Sequence, residues 1–410
     1  MRCNVDRRAL LQAGAGLALA RRWRGGPPSS QDPRAAFARL RNEVFLNAAG
    51  GTPLGSFAEA GIARYLDFAR LGPEDGRGEY FARVLGGIRG RLARLLGADE
   101  AEIALVQCTK AGEHLVLDRL DPIGTGRNVV TNDLHFSGSL HHLEGLRRQG
   151  LDLRMVRATG WDVPLEAMDA AIDRSTALVA VTLLSNVTGR IEPLRELVQL
   201  AHERGALVYA DVIQAAGSVP MDLAASGVDF AAGNGYKWLF GVHGSGFLYV
   251  RREHQGTVLP DRLFPGHVRF NYPPWVTSAD PATPPLSFDP PADARRYEPG
   301  HHAYLAYAAL FEGLGFLEAR GIEAIRDHSV RLNRRLAAGL DPRRYRSVSV
   351  DLDRSPIAAF AVEDAARLEP RLRAARLVVT LTGNLVRVSP AIYNDEEDID
   401  RLIETLNAPG

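Results

Sequence analysis

Two lysines are conspicuous in a chain that carries nearly all of its positive charge as arginine. Lys110 and Lys237 are the only lysines among 49 Lys and Arg residues. A primary amine forms an imine when it is neutral, whereas a guanidinium stays protonated and cannot. Lys237 lies in a Gly-rich turn between two apolar segments, flanked by Tyr236 and Trp238. This setting predicts a Schiff-base lysine at position 237, and the alternative is an ordinary surface charge.

An acidic residue ends the apolar segment LVYAD upstream of that turn. Asp211 closes the segment, and Gln214 follows about one helical turn later. A carboxylate beside a pyridine nitrogen keeps that nitrogen protonated, which makes the ring an electron sink. The competing interpretation of Asp211 is a helix N-cap, which is common after strands. Together, Lys237 and Asp211 predict pyridoxal phosphate (PLP) as the cofactor.

Three further segments offer groups that such a cofactor requires. The string IALVQCTKAGEH indicates a strand, a turn of small residues and a helix start, so the amides of Thr109 and Lys110 are placed to bind a phosphate. The Lys110 side chain either adds charge to that site or is solvated. Phe136 is suited to stacking on a flat ring, although an aromatic residue after a strand is more often part of a core. Tyr236 either offers its hydroxyl to the phosphate or packs as an ordinary aromatic residue.

These residues follow predicted strands that alternate with predicted helices, two of which span residues 164–173 and 193–204. Buried strands separated by helices predict an α/β fold with a doubly wound, mostly parallel sheet. Ligands of such sheets bind at the carboxyl ends of the strands. The predicted strands are IALVQ, RNVVTND, TALVAVTLLS, ALVYADV, VDFAAGN and GFLYVRR.

The remaining chain predicts additional parts around this sheet. A proline-rich stretch over residues 256–300 is too long for an ordinary connection, so we expect it to cover a site or an interface. The predicted parts are a signal and linker over residues 1–29, a segment over residues 30–54 that packs with the small domain, a large PLP-binding domain over residues 55–300, and a smaller C-terminal α+β domain over residues 301–410.

The N-terminus resembles a twin-arginine export signal. Arg7 and Arg8 precede a short Ala/Gly/Leu stretch that ends in small residues. The stretch is too short to span a bilayer, so no membrane span is expected. We therefore predict a periplasmic or exported protein, and the alternative is an arginine-rich tail on a cytoplasmic one.

Charge and cysteine content disfavour several other classes of protein. The formal net charge is zero, so nothing in the composition favours nucleic acid or an acidic membrane surface as a partner. Cys3 and Cys108 are the only cysteines, which provides neither a disulfide framework nor a metal cluster. The histidines also lack metal-site spacing, so no metal is expected.

The chain resembles the aminotransferase class V family of fold-type I PLP enzymes over residues 44–406. The relatives in this family include cysteine desulfurases, selenocysteine lyases, isopenicillin N epimerase-like proteins and kynureninases. The resemblance is strongest in YADVIQAAGSVPMDLAASGVDFAAGNGYKWLFGVHGSGFLYV, which carries a D-x-x-Q motif, a G-V-D-F motif and a Lys-Trp-Leu turn.

The resemblance implies roles for individual residues. Lys237 is expected to bind the cofactor covalently, Asp211 to pair with the pyridine nitrogen, and Gln214 to contact the ring hydroxyl side. Arg387 is expected to hold the substrate α-carboxylate, for which a bidentate fork is well suited, and Ala49 to line the substrate pocket. The other implied cofactor-binding residues are Phe136 against the ring, Asn186 beside the ring hydroxyl, and Thr109 and Lys110 on the phosphate-binding turn. Tyr236 stands where many relatives have His, and Asn234 stands where relatives have a Ser that contacts the phosphate.

We therefore expect a homodimeric PLP enzyme that acts on an amino acid or a related amine by transamination, epimerisation or lyase chemistry. A persulfide route of the cysteine desulfurase type is not expected, because Cys108 lies on the phosphate turn and the C-terminal domain has no cysteine. A nicotinamide-dependent oxidoreductase would need a Gly-rich fingerprint after its first strand, and none is present. The other alternative is a non-catalytic binding protein that retains the fold.

Overall fold

A computed structural model describes residues 32–71, 82–260, 291–298 and 300–409 of the chain. The predicted export signal and most of the proline-rich stretch lie outside the described residues. Within these ranges, no helix combines the length and the apolar character that crossing a bilayer would require.

A seven-stranded sheet forms the centre of the larger part of the protein. Its strand order is β2-β8-β7-β6-β5-β3-β4. The pairs from β7 through β4 are parallel, and β8 runs antiparallel to both of its neighbours. This confirms the predicted doubly wound, mostly parallel α/β class. The strands are Ile103–Val106 (β2), Asn128–Asn132 (β3), Leu153–Val156 (β4), Thr176–Thr182 (β5), Leu207–Asp211 (β6), Phe230–Asn234 (β7) and Gly246–Val250 (β8).

Helices cover both faces of this sheet, so most of its strands are apolar runs rather than alternating patterns. Alternate strand residues pack into two separate apolar clusters, one on each face. Residues of α2 and α6 belong to one cluster, and residues of α3 and α4 belong to the other. The helices are Ser56–Leu71 (α1), Gly87–Leu96 (α2), Thr109–Leu120 (α3), Ser137–Arg147 (α4), Leu165–Ala171 (α5), Leu194–His202 (α6), Leu223–Ser226 (α7) and Tyr304–Glu318 (α8).

A smaller antiparallel sheet with its own core follows in the chain. Its strand order is β12-β13-β10-β9. A separate parallel pair joins Val44–Phe45 (β1), near the start of the described chain, to β11. The C-terminal elements are Ile322–Gly339 (α9), Arg346–Ser347 (β9), Ala358–Ala361 (β10), Glu369–Ala374 (α10), Leu377–Val378 (β11), Thr380–Thr382 (β12), Leu385–Val388 (β13) and Glu396–Asn407 (α11).

Asp229 stabilises the sheet edge opposite the candidate site. Its carboxylate accepts hydrogen bonds from His202 Nε2 at 2.9 Å, His254 Nε2 at 2.7 Å and the Val208 amide at 2.7 Å. Burial opposes ionisation, yet these hydrogen bonds leave the pKa of Asp229 below its usual value, and the pKa of His202 is raised. We expect Asp229→Asn to lower the free energy of unfolding by about 3 kcal/mol, because the two histidines and the Val208 amide that donate to this carboxylate lose an anionic acceptor.

The pH dependence of this loss has a defined sign. The Asp229 contribution is present above the unfolded pKa of about 4 and disappears as pH falls through the lower folded value. The His202 contribution is present below about pH 6.5 and disappears as pH rises through its raised folded pKa. Urea unfolding should therefore show the largest difference between about pH 4 and 6.5. The exposed Asp152 is a matched control, and its change to Asn should cost less than about 0.5 kcal/mol. Equal losses for the two variants would contradict the assignment.

Candidate active site

The carboxyl ends of the parallel strands bring the predicted residues to one edge of the central sheet. Asp211 is the last residue of β6, and Lys237 lies in the turn after β7. Because β6 and β7 are parallel neighbours, these ends lie side by side. The other predicted residues that follow strand ends are Thr109 after β2, Phe136 after β3 and Asn186 after β5.

Lys237 and Asp211 are buried within electrostatic range of each other, with exposures of 6% and 1%. Burial lowers the pKa of Lys237 to about 8; Arg387 acts in the same direction and Asp211 opposes the shift. Burial also raises the pKa of Asp211 to about 7. A fraction of the amine is therefore neutral near pH 7, the state in which it attacks an aldehyde. Asp211 does not cap a helix, because its Oδ1 accepts from the Ile213 amide at 2.9 Å in a turn.

Backbone contacts hold the turn that carries Lys237. The Thr52 hydroxyl donates to the Lys237 carbonyl at 2.8 Å, and the Phe240 amide donates to the same carbonyl at 3.0 Å. Phe240 has a φ of 53°, a left-handed conformation that is uncommon for a bulky residue and often marks a functional turn. A Cβ at Gly217 would lie 2.4 Å from the Trp238 carbonyl oxygen, so glycine is required there. These contacts define the position of the lysine backbone.

The turn before α3 has the character of an anion site. Thr109 is the first residue of this helix, whose first amides have no partner within the helix. The Thr109 Oγ1 atom is buried and lacks a hydrogen-bond partner among the described residues. An unpaired buried hydroxyl beside free amides at a helix N-terminus is suited to binding a phosphate.

Lys110 does not contribute a free charge to this turn. Its Nζ donates to Glu113 Oε1 at 2.6 Å and to Ser139 Oγ at 3.3 Å. Burial by itself would raise the pKa of Glu113, but His142, His135 and Lys110 lower it to about 2, so Glu113 is an anion. The predicted phosphate-binding role of Lys110 is therefore limited to its backbone amide.

Two predicted polar side chains are engaged within the protein. Gln214 Nε2 donates to the Ala49 carbonyl at 2.9 Å, and Gln214 Oε1 accepts from Trp238 Nε1 at 2.8 Å. Asn234 Oδ1 accepts from the Gly235 amide at 2.7 Å. Gln214 thus links the segment at Ala49 to the lysine turn, and the Asn234 oxygen is directed back to its own backbone.

Aromatic rings lie on two sides of this edge. Phe136 is half-buried immediately before α4. The Tyr236 ring centroid lies 5.6 Å from Lys237 Nζ, and His243 stacks on Tyr236 at a centroid distance of 4.0 Å. Both predicted aromatic residues are therefore partly accessible, and Tyr236 lies next to the lysine amine.

Arg387 connects the small sheet to this site. Its Nη2 donates to Asn47 Oδ1 at 3.2 Å, and Thr52 of the same short segment donates to the Lys237 carbonyl, so residues 47–52 link the guanidinium to the lysine turn. Partial burial lowers the pKa of Arg387 to about 10. Its Nη1 donates to the Asn186 carbonyl at 2.6 Å, and its Nε is buried without a partner among the described residues. The structure thus places Arg387 and Asn186, which are distant in sequence, side by side.

The segment at Ala49 bridges the two sheets. The buried Ala49 donates its amide to Ser389 Oγ at 3.0 Å and accepts from Gln214 through its carbonyl. Asn47 forms a parallel bridge with Ser389, and Thr52 contacts the lysine turn. The segment of Ala49 therefore connects the small sheet that carries Arg387 to the turn that carries Lys237.

Sequence reasoning missed three residues of this site: Glu113, Asn47 and Thr380. Glu113 follows Lys110 by one helical turn, so the i, i+3 spacing was an available signal. Asn47 stands two residues before Ala49, but nothing local indicates its partner. Thr380 carries no motif, and only the small sheet places it beside Arg387.

The residues fit PLP. A buried acid is available for a pyridine nitrogen, a buried amine for the aldehyde, a half-buried aromatic ring for stacking, and an orphaned Thr109 hydroxyl at a helix N-terminus for the phosphate. The amine and the acid are close enough to shift each other's pKa, as two groups that contact one small ring would be.

Comparison with known proteins gives the same assignment. The family model described as aminotransferase class-V matches residues 74–402. A probable cysteine desulfurase of Methanothermobacter thermautotrophicus is 29% identical over 406 residues, covering 92% of this chain and 97% of the relative. The isopenicillin N epimerase of Streptomyces clavuligerus is 29% identical over 384 residues, covering 89% and 94%.

A solved structure is similar over nearly the whole chain. A C-DES mutant with glycine covalently linked to its PLP cofactor superposes with a TM-score of 0.82, covering 93% of this chain and all of the other, at 20% identity. That likeness shows that the chain has the fold-type I architecture of PLP enzymes. The family match spans most of the chain. The chain belongs to the aminotransferase class-V family, and it is a PLP-dependent enzyme of that family.

Proposed function

We propose that this enzyme acts on the α-amino group of an amino acid whose carboxylate is bound by Arg387. The observation that carries the proposal is a guanidinium that lacks an anionic partner among the described residues and that contacts, through Asn47, the same short segment whose Thr52 holds the lysine turn. A planar fork with an uncompensated charge is complementary to a carboxylate. An amine-reactive lysine and an unpaired guanidinium on one site therefore favour a substrate that carries both an amine and a carboxylate.

Each residue of the site has a role in this proposal. Bound PLP supplies an aldehyde for the substrate amine and an electron sink for the bond that breaks at Cα. Lys237 Nζ holds the cofactor and then moves a proton at Cα, and Asp211 holds a proton at the pyridine nitrogen. Thr109 and the first amides of α3 bind the phosphate, and Phe136 orients the ring by stacking.

We propose transamination, epimerisation or lyase chemistry rather than transfer of sulfur to a protein thiol. The family includes proteins named for desulfuration and epimerisation, so membership by itself leaves the reaction open. Cys3 and Cys108 are the only cysteines of the chain, and Cys108 immediately precedes α3. Cys108 is the N-cap residue of α3, so its backbone position is fixed by the helix, whereas sulfur transfer to a protein thiol calls for a cysteine on a movable segment. Dimerisation and twin-arginine export stay predictions.

A screen of amino acids against holoenzyme tests the proposal. A change in the cofactor absorbance spectrum identifies an amino acid that binds. Formation of a keto acid, of the opposite enantiomer or of an elimination product identifies the reaction. For a substrate found in this way, we expect Arg387→Lys to raise KM by about 10- to 100-fold with a smaller change in kcat, because a single ammonium replaces a bidentate fork. Arg346→Lys, at an exposed position of the same small sheet, is the matched control. An unchanged KM in Arg387→Lys would contradict the carboxylate assignment.

A further inference from the structure

Arg387 is oriented by three oxygen atoms, and all three are electrically neutral. Nη1 donates to the Asn186 carbonyl at 2.6 Å. Nη2 donates to Thr380 Oγ1 at 2.8 Å and to Asn47 Oδ1 at 3.2 Å. Among the described residues, no carboxylate lies within ion-pair distance of this guanidinium. The buried guanidinium of Arg190, by contrast, pairs with Glu192, and Arg89 pairs with Glu298. The protein thus orients this cation without neutralising it.

The atoms of this cluster have unambiguous donor and acceptor roles. A guanidinium has no acceptor, so the Asn47 atom that faces Arg387 must be the amide oxygen. The Thr380 hydroxyl accepts from Arg387 and donates to the same Asn47 oxygen at 2.7 Å. Arg387, Thr380 and Asn47 therefore form a closed triangle that spans the junction of the N-terminal segment and the small sheet.

Gly50 provides the space that the Asn47 amide occupies. A Cβ at Gly50 would lie 2.8 Å from Asn47 Nδ2 and 2.9 Å from Asn47 Oδ1, closer than real Cβ contacts. The amide is therefore held between Gly50 on one side and the Arg387–Thr380 pair on the other. This packing fixes the position of the amide, and the hydrogen bonds to Arg387 and Thr380 determine which of its atoms faces the guanidinium.

We propose that Asn47 is the positioning residue that makes Arg387 selective for a carboxylate, an inference that rests on the proposed function. Its amide oxygen orients the fork, and its lack of charge leaves the positive charge available to the substrate. Aspartate is nearly isosteric with asparagine and would accept the same two hydrogen bonds. It would also form an internal ion pair with Arg387, which the substrate carboxylate would have to displace.

The test compares Asn47→Asp with wild-type holoenzyme, using L-alanine and L-alaninamide as probes. Dissociation constants come from the change in cofactor absorbance. For Asn47→Asp we expect the L-alanine constant to rise about tenfold or more and the L-alaninamide constant to change less than about threefold, because only the carboxylate competes with the new anion. Asn42→Asp introduces the same charge at an exposed position just before β1 and should leave both constants unchanged.

A second measurement needs no ligand. Asn47→Asp supplies a counter-ion to a partly buried cation, so its melting temperature should exceed that of wild type, and the excess should disappear as pH falls and the new carboxyl is protonated. Equal weakening of L-alanine and L-alaninamide binding, or a melting temperature that does not rise, would contradict the role of Asn47. Failure of wild type to respond to any amino acid of the screen while Asn47→Asp is still stabilised would instead contradict the proposed function. Thr380→Val should weaken L-alanine binding, whereas Thr380→Ser, which keeps the hydroxyl, should bind L-alanine nearly as tightly as wild type. Equal weakening by the two substitutions would contradict the role of the Thr380 hydroxyl.

Discussion

Replacing Lys237 with alanine is expected to reduce turnover by about a thousandfold or more, because one amine provides both covalent attachment and proton transfer. The side chain is buried beside Asp211, and no other described lysine lies at the ends of β6 and β7. The measurement is turnover of the substrate found in the screen, with cofactor content determined in parallel. Retained PLP with lost turnover would identify the chemical step rather than folding as the defect.

Borohydride treatment followed by peptide mapping provides an independent measurement. Wild type should carry the label on Lys237, and Lys110→Arg should label the same site, because Lys110 Nζ is paired with Glu113. The rate of cofactor uptake by apoenzyme should rise with pH around the lowered pKa of about 8, since only the neutral amine attacks. Labelling of Lys110, or a midpoint above about pH 10 as for an exposed lysine, would contradict the assignment.

Asp211→Asn is expected to lower kcat by about a hundredfold or more while PLP stays bound. Asparagine occupies the same volume but has no charge with which to keep a proton on the pyridine nitrogen, so the ring becomes a weaker electron sink. The Asp211 side chain is 1% exposed, so water cannot substitute for the missing charge. The measurements are kcat and the pH dependence of the cofactor spectrum.

The control for this change is the surface variant Asp152→Asn, which alters net charge by the same amount far from the site edge. It should retain wild-type kcat. A reduction of only a few-fold in Asp211→Asn would show that another group protonates the ring, and parallel losses in both variants would show that net charge matters rather than position.

Local patterns were sufficient to predict the sheet and the residues at its strand ends. Each central strand is a short apolar run bounded by turn residues, and the side chains that follow such strands must emerge at one edge whatever the rest of the protein does. Asp211, Lys237 and Thr109 belong to this group. Their distances from strand ends are short, so sequence position determines their place in the fold.

The hydrogen-bond partners of several side chains could not be predicted from local patterns. Lys110 was predicted to be either a phosphate ligand or a solvated charge, yet it pairs with Glu113 and Ser139, which belongs to another helix. Gln214, which is expected on the ring hydroxyl side of the cofactor, also bonds through its amide to Ala49 and Trp238, contacts that its own segment does not indicate. Both side chains are long and polar, and which acceptor they reach depends on neighbours from distant segments.

The amino-acid order alone determined which groups stand at the strand ends: an amine, an acid and a hydroxyl at a helix N-terminus. Each of these groups lies within a few residues of the strand that positions it. The direction of the Arg387 guanidinium and its lack of an anionic partner among the described residues were decided only by tertiary packing. Thr380 and Asn47 are 333 residues apart in the chain and meet at one hydrogen bond of 2.7 Å beside Arg387. No local propensity encodes such a contact, because its free energy depends on two sheets being formed and docked first.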